Sequence, residues 1–447
     1  MQNTSSFEKF NNWSKNSVGV RIFTIVFLIL ILLIPVSMVE NLIRERERFQ
    51  ENAIHEISDK WGAHQTLTGL VISIPYYTYS SSKNDKGITK THKHKHFAHF
   101  LPSDLNINGS IAPEKRYRGI YEVVVYNSEL SIEGKFDEID IDKLGLDNNN
   151  VLWDQATINL GISDLRSIQN DVTLNWDGEN LNFNPGIQSN DVIYSGISTN
   201  ISINDSTKKH SFKVDLNLNG SKGISFTPLG KTTKVNINSN WADPSFNGAF
   251  LPDNRNVTDS GFVAKWEVLH LNRNYPQEFT DENNQINSST FGVDLIMPVD
   301  EYQKSMRSVK YAVMFISLTF LFYFFSQIKK RVRIHPIQYL IIGLAICLFF
   351  TLLIALSEHM HFQYAYLLGS LAIISIITSY SYFIFKDKLI TSLLAGILVM
   401  LYGFIYVIIQ MQDFSLLIGS VGLFIILSSV MYLSRNIDWY NIAEKEK

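Results

Sequence analysis

The 447-residue chain carries 39 lysines and arginines against 42 aspartates and glutamates, a formal net charge of −3. This near balance argues against nucleic-acid binding, for which a strongly basic face is expected. The single cysteine, Cys347, lies inside an apolar stretch, so disulfide bonds cannot stabilise the polar part of the chain.

Six apolar stretches are each long enough to cross a hydrocarbon core of ~30 Å as a helix. They are residues 22–39, 309–326, 337–356, 364–385, 389–409 and 415–433. The first is longer than the ~7–15 apolar residues of a secretory signal, and no small-x-small cleavage site precedes Glu40. It therefore predicts an uncleaved signal anchor.

The distribution of lysine and arginine predicts the orientation, because short cytoplasmic loops are enriched in both residues. The basic residues of the two termini and of two short loops all fall on one side of the predicted spans: Lys9, Lys15, Arg21, Lys329, Lys330, Arg331, Arg333, Lys386, Lys388, Arg435, Lys445 and Lys447. The opposite short loops, residues 357–363 and 410–414, contain none. We expect residues 1–21 and 434–447 in the cytoplasm and residues 40–308 outside, beginning with a solvated helix over 40–51.

The segment 40–308 has the period-two pattern of β-strands, interrupted by Asn, Asp, Gly and Ser turns. Candidate strands are residues 119–126, 129–136, 156–162, 211–219, 232–240, 262–271 and 291–297. The predicted fold is an α+β membrane protein with one N-terminal and five C-terminal transmembrane helices and an antiparallel β-sandwich between helices 1 and 2. The sandwich is either one body or two lobes divided near residues 137–150.

The segment 91–99 contains alternating histidines that would share one face of a strand. His92, His94 and His96 are the candidate zinc ligands, since imidazole suits that metal. The interleaved Lys93 and Lys95 raise the local positive charge, and no nearby carboxylate or cysteine completes a ligand set. The sequence favours a solvated basic hairpin over a metal site.

A second candidate site combines Glu358 and His359 of one outer loop with Asp413 of the other. Ionisable groups at membrane depth are costly and often functional. At the interface, however, these side chains can reach water. The pattern therefore favours a polar loop that docks against the outer domain over one that moves protons or ions.

Catalytic motifs are not evident in the sequence. It contains no Walker loop, dinucleotide fingerprint, His-Glu-x-x-His or Gly-x-Ser-x-Gly motif. We therefore predict no catalytic residue and no cofactor. The aromatic residues Trp241, Phe246, Phe250 and Trp266 are expected in the core rather than on an exposed binding patch.

Several short motifs in order along the chain resemble the CreD family. They are RIHPIQYL at 333–340, LSEH at 356–359, LYGF at 401–404 and NIDWY at 436–440, with RGIY at 118–121, PSF at 244–246 and FLP at 250–252 in the outer segment. Two features depart from the family pattern: Ser326-Gln327 stand where the family usually carries a glutamate, and the histidine-rich segment is not a family feature.

The resemblance implies a bacterial inner-membrane protein associated with envelope integrity, colicin tolerance and β-lactam stress under a two-component system. It supplies no catalytic residues. We expect a non-enzymatic protein whose periplasmic β domain senses or binds an envelope protein partner, with the lipid bilayer as its other partner. The alternatives are a transporter or channel formed by the C-terminal helices, with Glu358, His359 and Asp413 at its outer mouth, and a metal-dependent hydrolase using the histidines.

Overall fold

The computed structural model describes residues 18–83, 89–203, 205–280, 286–297, 301–330, 332–411 and 414–435. The chain divides into two compact units. The helical unit comprises Met1–Gln50 and Val299–Lys447, and the β domain comprises Glu51–Pro298. The β domain is thus shorter at both ends than the predicted outer segment 40–308.

The helices of the described residues are α1 Val18–Trp61, α2 Glu301–Lys310, α3 Ala312–Lys330, α4 Pro336–Ser357, α5 Phe362–Phe385, α6 Lys388–Gln410 and α7 Ser415–Ser434. Five of them, α1 and α3–α6, are long and apolar enough to cross a membrane. The apolar run described in α7, Leu417–Tyr432, is shorter. A separate helix, α2, precedes α3, so the predicted span 309–326 begins too early.

The caps of the apolar helices explain where they begin. Pro336 occupies the first turn of α4, where its missing N–H removes no hydrogen bond. The carboxylate of Asp387 accepts from the backbone N–H groups of Leu389 and Ile390 at the start of α6. Asp387 also pairs with Lys330 at the end of α3, with 2.6 Å between Nζ and Oδ2. The end of α3 and the start of α6 therefore lie at the same end of the helical unit.

The described residues of the β domain form two sheets. Their strands are β1 Gln65–Lys83, β2 Thr89–Phe100, β3 Asp104–Arg118, β4 Tyr121–Phe136, β5 Thr157–Ile162, β6 Thr173–Trp176, β7 Glu179–Asn182, β8 Asn184–Pro185, β9 Gly196–Asn200, β10 His210–Ser221, β11 Gly223–Thr227, β12 Thr232–Ser239, β13 Pro244–Gly248, β14 Asn254–Thr258, β15 Gly261–Leu269, β16 Glu278–Phe279 and β17 Phe291–Leu295. Sheet A has the order β13-β17-β11-β1-β5-β9-β8. Outside this order, β2 pairs with β1, and β16 pairs with β2. Sheet B has the order β14-β15-β12-β3-β4-β10-β6-β7.

The prediction of antiparallel sheets is wrong for two strand pairs. β1 pairs with β11 in parallel, and so does β3 with β12. Both pairs join strands that are distant in sequence, and a period-two pattern reports which residues face the core but not the direction of the neighbouring strand. The sheets are therefore mixed.

One hydrophobic core joins the two sheets, and the predicted break at 137–150 does not divide it. Ile139 and Ile141 from that segment are buried in the same cluster as Leu70 of sheet A and Val235 of sheet B. The Asp- and Asn-rich composition reflects three-residue 3-10 turns at Asp142–Leu144 and Asn148–Asn150 that run along the surface of the core. The β domain is one body.

The predicted strands 119–126 and 129–136 form a single strand, β4. The intervening Asn127 and Ser128 have the composition of a turn, yet both pair with β10. Asn127 is exposed, whereas Ser128 is buried and its hydroxyl donates to the carbonyl of Leu218 at 3.0 Å. Because this hydrogen bond satisfies the buried hydroxyl, the alternation continues through a polar pair.

Within the β domain, Asp164 fixes the turn that follows α1. Gly62 has φ +141, a conformation that favours glycine, and turns the chain out of the helix. The next N–H, from Ala63, donates to Oδ2 of Asp164 at 3.2 Å. Arg166 donates from Nε and a terminal nitrogen to the same carboxylate at 2.9 Å each, which lowers the pKa of Asp164.

Replacing Asp164 with asparagine is expected to lower the free energy of unfolding by about 1–2 kcal/mol at pH 7, since the hydrogen bonds to a charged acceptor are weakened. The Asp164 side chain is only 10% exposed. A carboxyl with a depressed pKa stabilises the fold above its unfolded-state pKa, and that contribution is lost as the pH falls through the folded-state value. Thermal unfolding of both proteins should therefore converge below about pH 3. A constant difference across that range would contradict this account.

Candidate functional site

The loop between α4 and α5 contains the predicted site residues Glu358 and His359. Glu358 caps the C-terminal end of α4, and its N–H donates to the carbonyl of Ile354 at 3.2 Å. His359 continues the turn through a hydrogen bond from its N–H to Leu356, and its side chain is exposed. The third predicted residue, Asp413, lies outside the described residues.

The carboxylate of Glu358 contacts two other parts of the helical unit. Its Oε1 lies 3.6 Å from Nε of Arg46 on α1 and accepts a hydrogen bond from the Tyr302 hydroxyl on α2 at 3.2 Å. The Glu358 side chain is only 12% exposed, whereas that of Arg46 is 41% exposed. The loop carboxylate therefore joins α1, α2 and α4.

Tyr302 reaches Glu358 because α2 buries one face. Its buried residues are Tyr302, Ser305, Ser308 and Val309, which recur at helical spacing, and α2 packs against α4 and α6. The hydroxyls of Ser305 and Ser308 are buried on this face with no hydrogen-bond partner among the described residues. Beside this contact, the ammonium of Lys304 lies 5.7 Å from the centre of the Phe362 ring.

This arrangement is an ion pair reinforced by a phenol, which we call the Glu358 clamp (Arg46, Tyr302 and Glu358). The carboxylate is already bonded to a cation and a donor, so the geometry holds three segments together. Arg46 belongs to the predicted solvated helix and Tyr302 to no predicted site. The sequence contains no signal for Tyr302 and only a weak one for Arg46, the alternation of Glu and Arg around it.

The predicted histidine cluster lies on β2, in the hairpin with β1. His92, His94 and His96 are exposed and alternate along one face, as predicted. His94 contacts the hydroxyl of Ser80 at 3.0 Å, and the rings of His92 and His94 are 6.5 Å apart. Across the described residues, no group of three or more His, Cys, Asp or Glu side chains is placed to hold a metal ion.

His99, from the same strand, has a different environment. It is buried, with Nδ1 3.0 Å from the Ser73 hydroxyl and Nε2 3.0 Å from Oδ2 of Asp191. Its ring also packs against Phe279 at 5.4 Å. His99 is therefore a hydrogen-bonded part of the sheet A packing, separate from the exposed histidines.

The solvent-exposed face of sheet B carries a polar groove of about 760 Å³. Two rows of side chains cross its strands in register. One row is Glu267, Lys234, Asn106 and Glu133, and the next is Asn254, Lys265, Asn236 and Asn108. The sequence pattern did not predict this groove, although the polar positions of its strands alternate with buried apolar ones.

Backbone contacts fix the walls of the groove. Oδ2 of Asp253 accepts from the N–H of Glu267 at 2.7 Å, and Oδ1 of Asn272 accepts from the N–H of Leu269 at 3.1 Å. On the floor, the Asn236 amide lies 3.5 Å from Oδ1 of Asn108, and the buried Oδ1 of Asn236 has no hydrogen-bond partner among the described residues. The groove thus presents amides and charges of both signs to solvent.

Comparison with known proteins identifies the relatives of this chain. The family described as "Inner membrane protein CreD" matches residues 17–440. The chain belongs to the CreD family. It is 31% identical over 418 residues to the inner membrane protein CreD of Escherichia coli (strain K12), covering 92% of this chain and 91% of that protein.

Membership in the CreD family confirms the resemblance seen in the short motifs. Together with its apolar helices, it makes this chain a multi-pass protein of the inner membrane. At the departure from the family pattern, Gln327 is buried and accepts a hydrogen bond from the Tyr339 hydroxyl at 3.3 Å. In this chain, Gln327 therefore contributes a neutral contact between α3 and α4.

Proposed function

We propose that this CreD-family protein is non-enzymatic and supports envelope integrity under stress, with a periplasmic β domain that binds a polar ligand or the polar surface of an envelope protein. The observation that carries the proposal is the groove of sheet B. Its floor spans several strands, its walls are fixed by backbone hydrogen bonds, and its side chains offer both donors and acceptors. Largely pre-formed concave sites of this kind suit specific recognition.

The proposed topology has six spans, α7 being the last, and both termini in the cytoplasm. The ion pair between Lys330 and Asp387 supports it, because it brings two of the lysine-containing loops to one end of the helical unit. Such loops are cytoplasmic under the positive-inside rule. The Glu358 clamp, at the opposite ends of α4 and α5, would then lie on the periplasmic side.

Site-specific photo-cross-linking in cells tests the groove. A benzophenone amino acid would replace Asn108 in the groove or Asn217, an exposed asparagine on β10 of the same sheet face. We expect a discrete adduct from position 108 and none from position 217. Mass spectrometry of the adduct would identify an attached protein or other envelope component.

A paired functional assay distinguishes ligand binding from folding. Asn108→Trp would fill the groove, whereas Asn217→Trp adds the same ring elsewhere on the face. In cells that lack the wild-type copy, we expect the first variant to lose survival under envelope stress at a normal protein level and the second to retain it. Equal survival of both variants, with equal adducts at both positions, would refute the groove as the binding surface.

A further inference from the structure

The hairpin of β1 and β2 extends beyond sheet A as a two-stranded arm, defined here as residues 77–82 and 89–95. Strand β1 pairs with β5 only as far as Ser73, whereas its pairing with β2 continues from Tyr77↔Lys95 to Lys83↔Thr89. Most side chains of the arm are exposed. Both faces of this ribbon are therefore open to a ligand.

Positive charge covers both faces of the arm. Lys93 and Lys95 lie on one face, and Lys90 lies on the other with the three exposed histidines. The residues that define the arm include no aspartate or glutamate. At least three lysines thus lie within a short ribbon that has no acidic side chain of its own.

Local contacts hold some of these groups in place. The Lys93 ammonium lies 3.4 Å from the centre of the Tyr77 ring, a cation–π contact. Lys95 donates to Oε1 of Gln155 at 3.2 Å, and His94 contacts Ser80. Because these partners are neutral, they orient the cations without cancelling their charge.

Two acidic residues belong to turns that pack near the base of the arm. The 3-10 turns Asn148–Asn150 and Trp153–Gln155 pack against β1, where Leu152 donates its N–H to the carbonyl of Pro75 at 2.8 Å. These turns bring Asp147, the cap of the first, and Asp154. On the histidine face, His96 packs against the Tyr76 ring at 5.7 Å.

From this geometry we propose that the arm binds a flexible anionic polymer, a glycan or similar chain bearing phosphate, sulfate or carboxylate groups. A flat anionic bilayer would contact one face of the ribbon, whereas a flexible chain can neutralise cations on both. The arm's described residues also include no aliphatic side chain to insert into lipid.

Fluorescent dextran sulfate is a suitable probe, since its sulfates stay ionised at mildly acidic pH. Its binding to the full chain in phosphatidylcholine nanodiscs would be measured by anisotropy with EDTA present, which removes any bridging metal. Uncharged dextran is the control ligand, and phosphatidylglycerol vesicles test the membrane. We expect salt-sensitive binding of dextran sulfate only.

Matched triple variants locate the binding. Replacing Lys90, Lys93 and Lys95 with glutamine should weaken binding about tenfold or more and reduce its salt dependence, because three cationic contacts are lost. Replacing Lys208, Lys209 and Lys213, which are exposed and lie outside the groove of sheet B, removes the same charge and should have little effect.

Three outcomes would overturn the proposal. Equal loss in both lysine variants would mean that binding follows the overall charge of the protein rather than the arm. Unchanged binding in the arm variant would place the site elsewhere. Vesicle binding that depends on the arm lysines and exceeds dextran sulfate binding would make the ligand a membrane surface.

Discussion

Replacement of Trp266 by alanine is expected to lower the free energy of unfolding of the β domain by about 3–5 kcal/mol. Trp266 lies on β15 and is 2% exposed. Its ring packs 5.7 Å from Phe246 and 5.6 Å from Phe291, so it joins β15 of sheet B to β13 and β17 of sheet A. Removing it leaves a cavity between the sheets that rigid strands cannot collapse to fill.

Circular dichroism of the full chain during heating would measure the effect. For a domain of this size, the expected loss corresponds to a decrease in Tm of roughly 10 °C. Tyr194→Ala is the control, because Tyr194 is 77% exposed and its truncation should change the Tm by less than about 2 °C. A Trp266 variant with normal Tm but lost function would instead assign Trp266 to a binding surface.

Hydropathy predicted the position of the apolar helices well, because a run of apolar residues is a local property of the chain. The stretches 337–356, 364–385 and 389–409 each lie within one helix, α4, α5 or α6. The stretch 309–326 was displaced because Val309 is apolar but belongs to the amphipathic helix α2, where it is buried beside serines. Burial inside a protein and burial in lipid have the same signature in sequence.

The pattern of the strands was harder to interpret, for two physical reasons. In the arm, neither face is buried. Residues Ser80 to Ser82 therefore show no alternation of apolar and polar side chains, and their sequence did not predict a strand. In the core, the parallel contacts of β1 with β11 and β3 with β12 join residues more than 100 positions apart. Local patterning contains no information on such pairing.

The candidate site was predicted in part. Glu358 stood out because an acidic residue next to an apolar helix is unusual. Its partner Arg46 lies in a run in which Glu and Arg alternate, and any of the arginines there could have been the partner. Only the geometry distinguishes Arg46, which contacts Glu358, from Arg44, which faces Glu40 one turn away on α1.

Disruption of the Glu358 clamp is expected to have unequal effects on its two charged members. Arg46→Met leaves a largely buried carboxylate with Tyr302 as its remaining donor and should destabilise the helical unit by about 2–3 kcal/mol. Glu358→Gln should cost less, about 1 kcal/mol, because a neutral amide oxygen still accepts from the phenol. In the double variant the two losses should not add, giving a coupling energy of about 1–2 kcal/mol.

Thermal unfolding of the full chain in nanodiscs would supply the cycle. Arg44→Met is the matched control, because Arg44 is more exposed than Arg46 and pairs at 4.0 Å with Glu40 on the same helix, a contact worth less than about 0.5 kcal/mol. Additive losses at Arg46 and Glu358 would mean that the two side chains do not interact in the membrane.

The same variants separate a clamp from the transport alternative. If Glu358 joins α1, α2 and α4, function should fall in proportion to stability, and Arg46→Met should be the more damaging change. If Glu358 instead carries protons or ions, Glu358→Gln should abolish function at nearly normal stability while Arg46→Met leaves part of it. The order of the two variants in a survival assay therefore decides between the two roles, because glutamine keeps an acceptor for the Tyr302 hydroxyl but can neither bind nor release a proton.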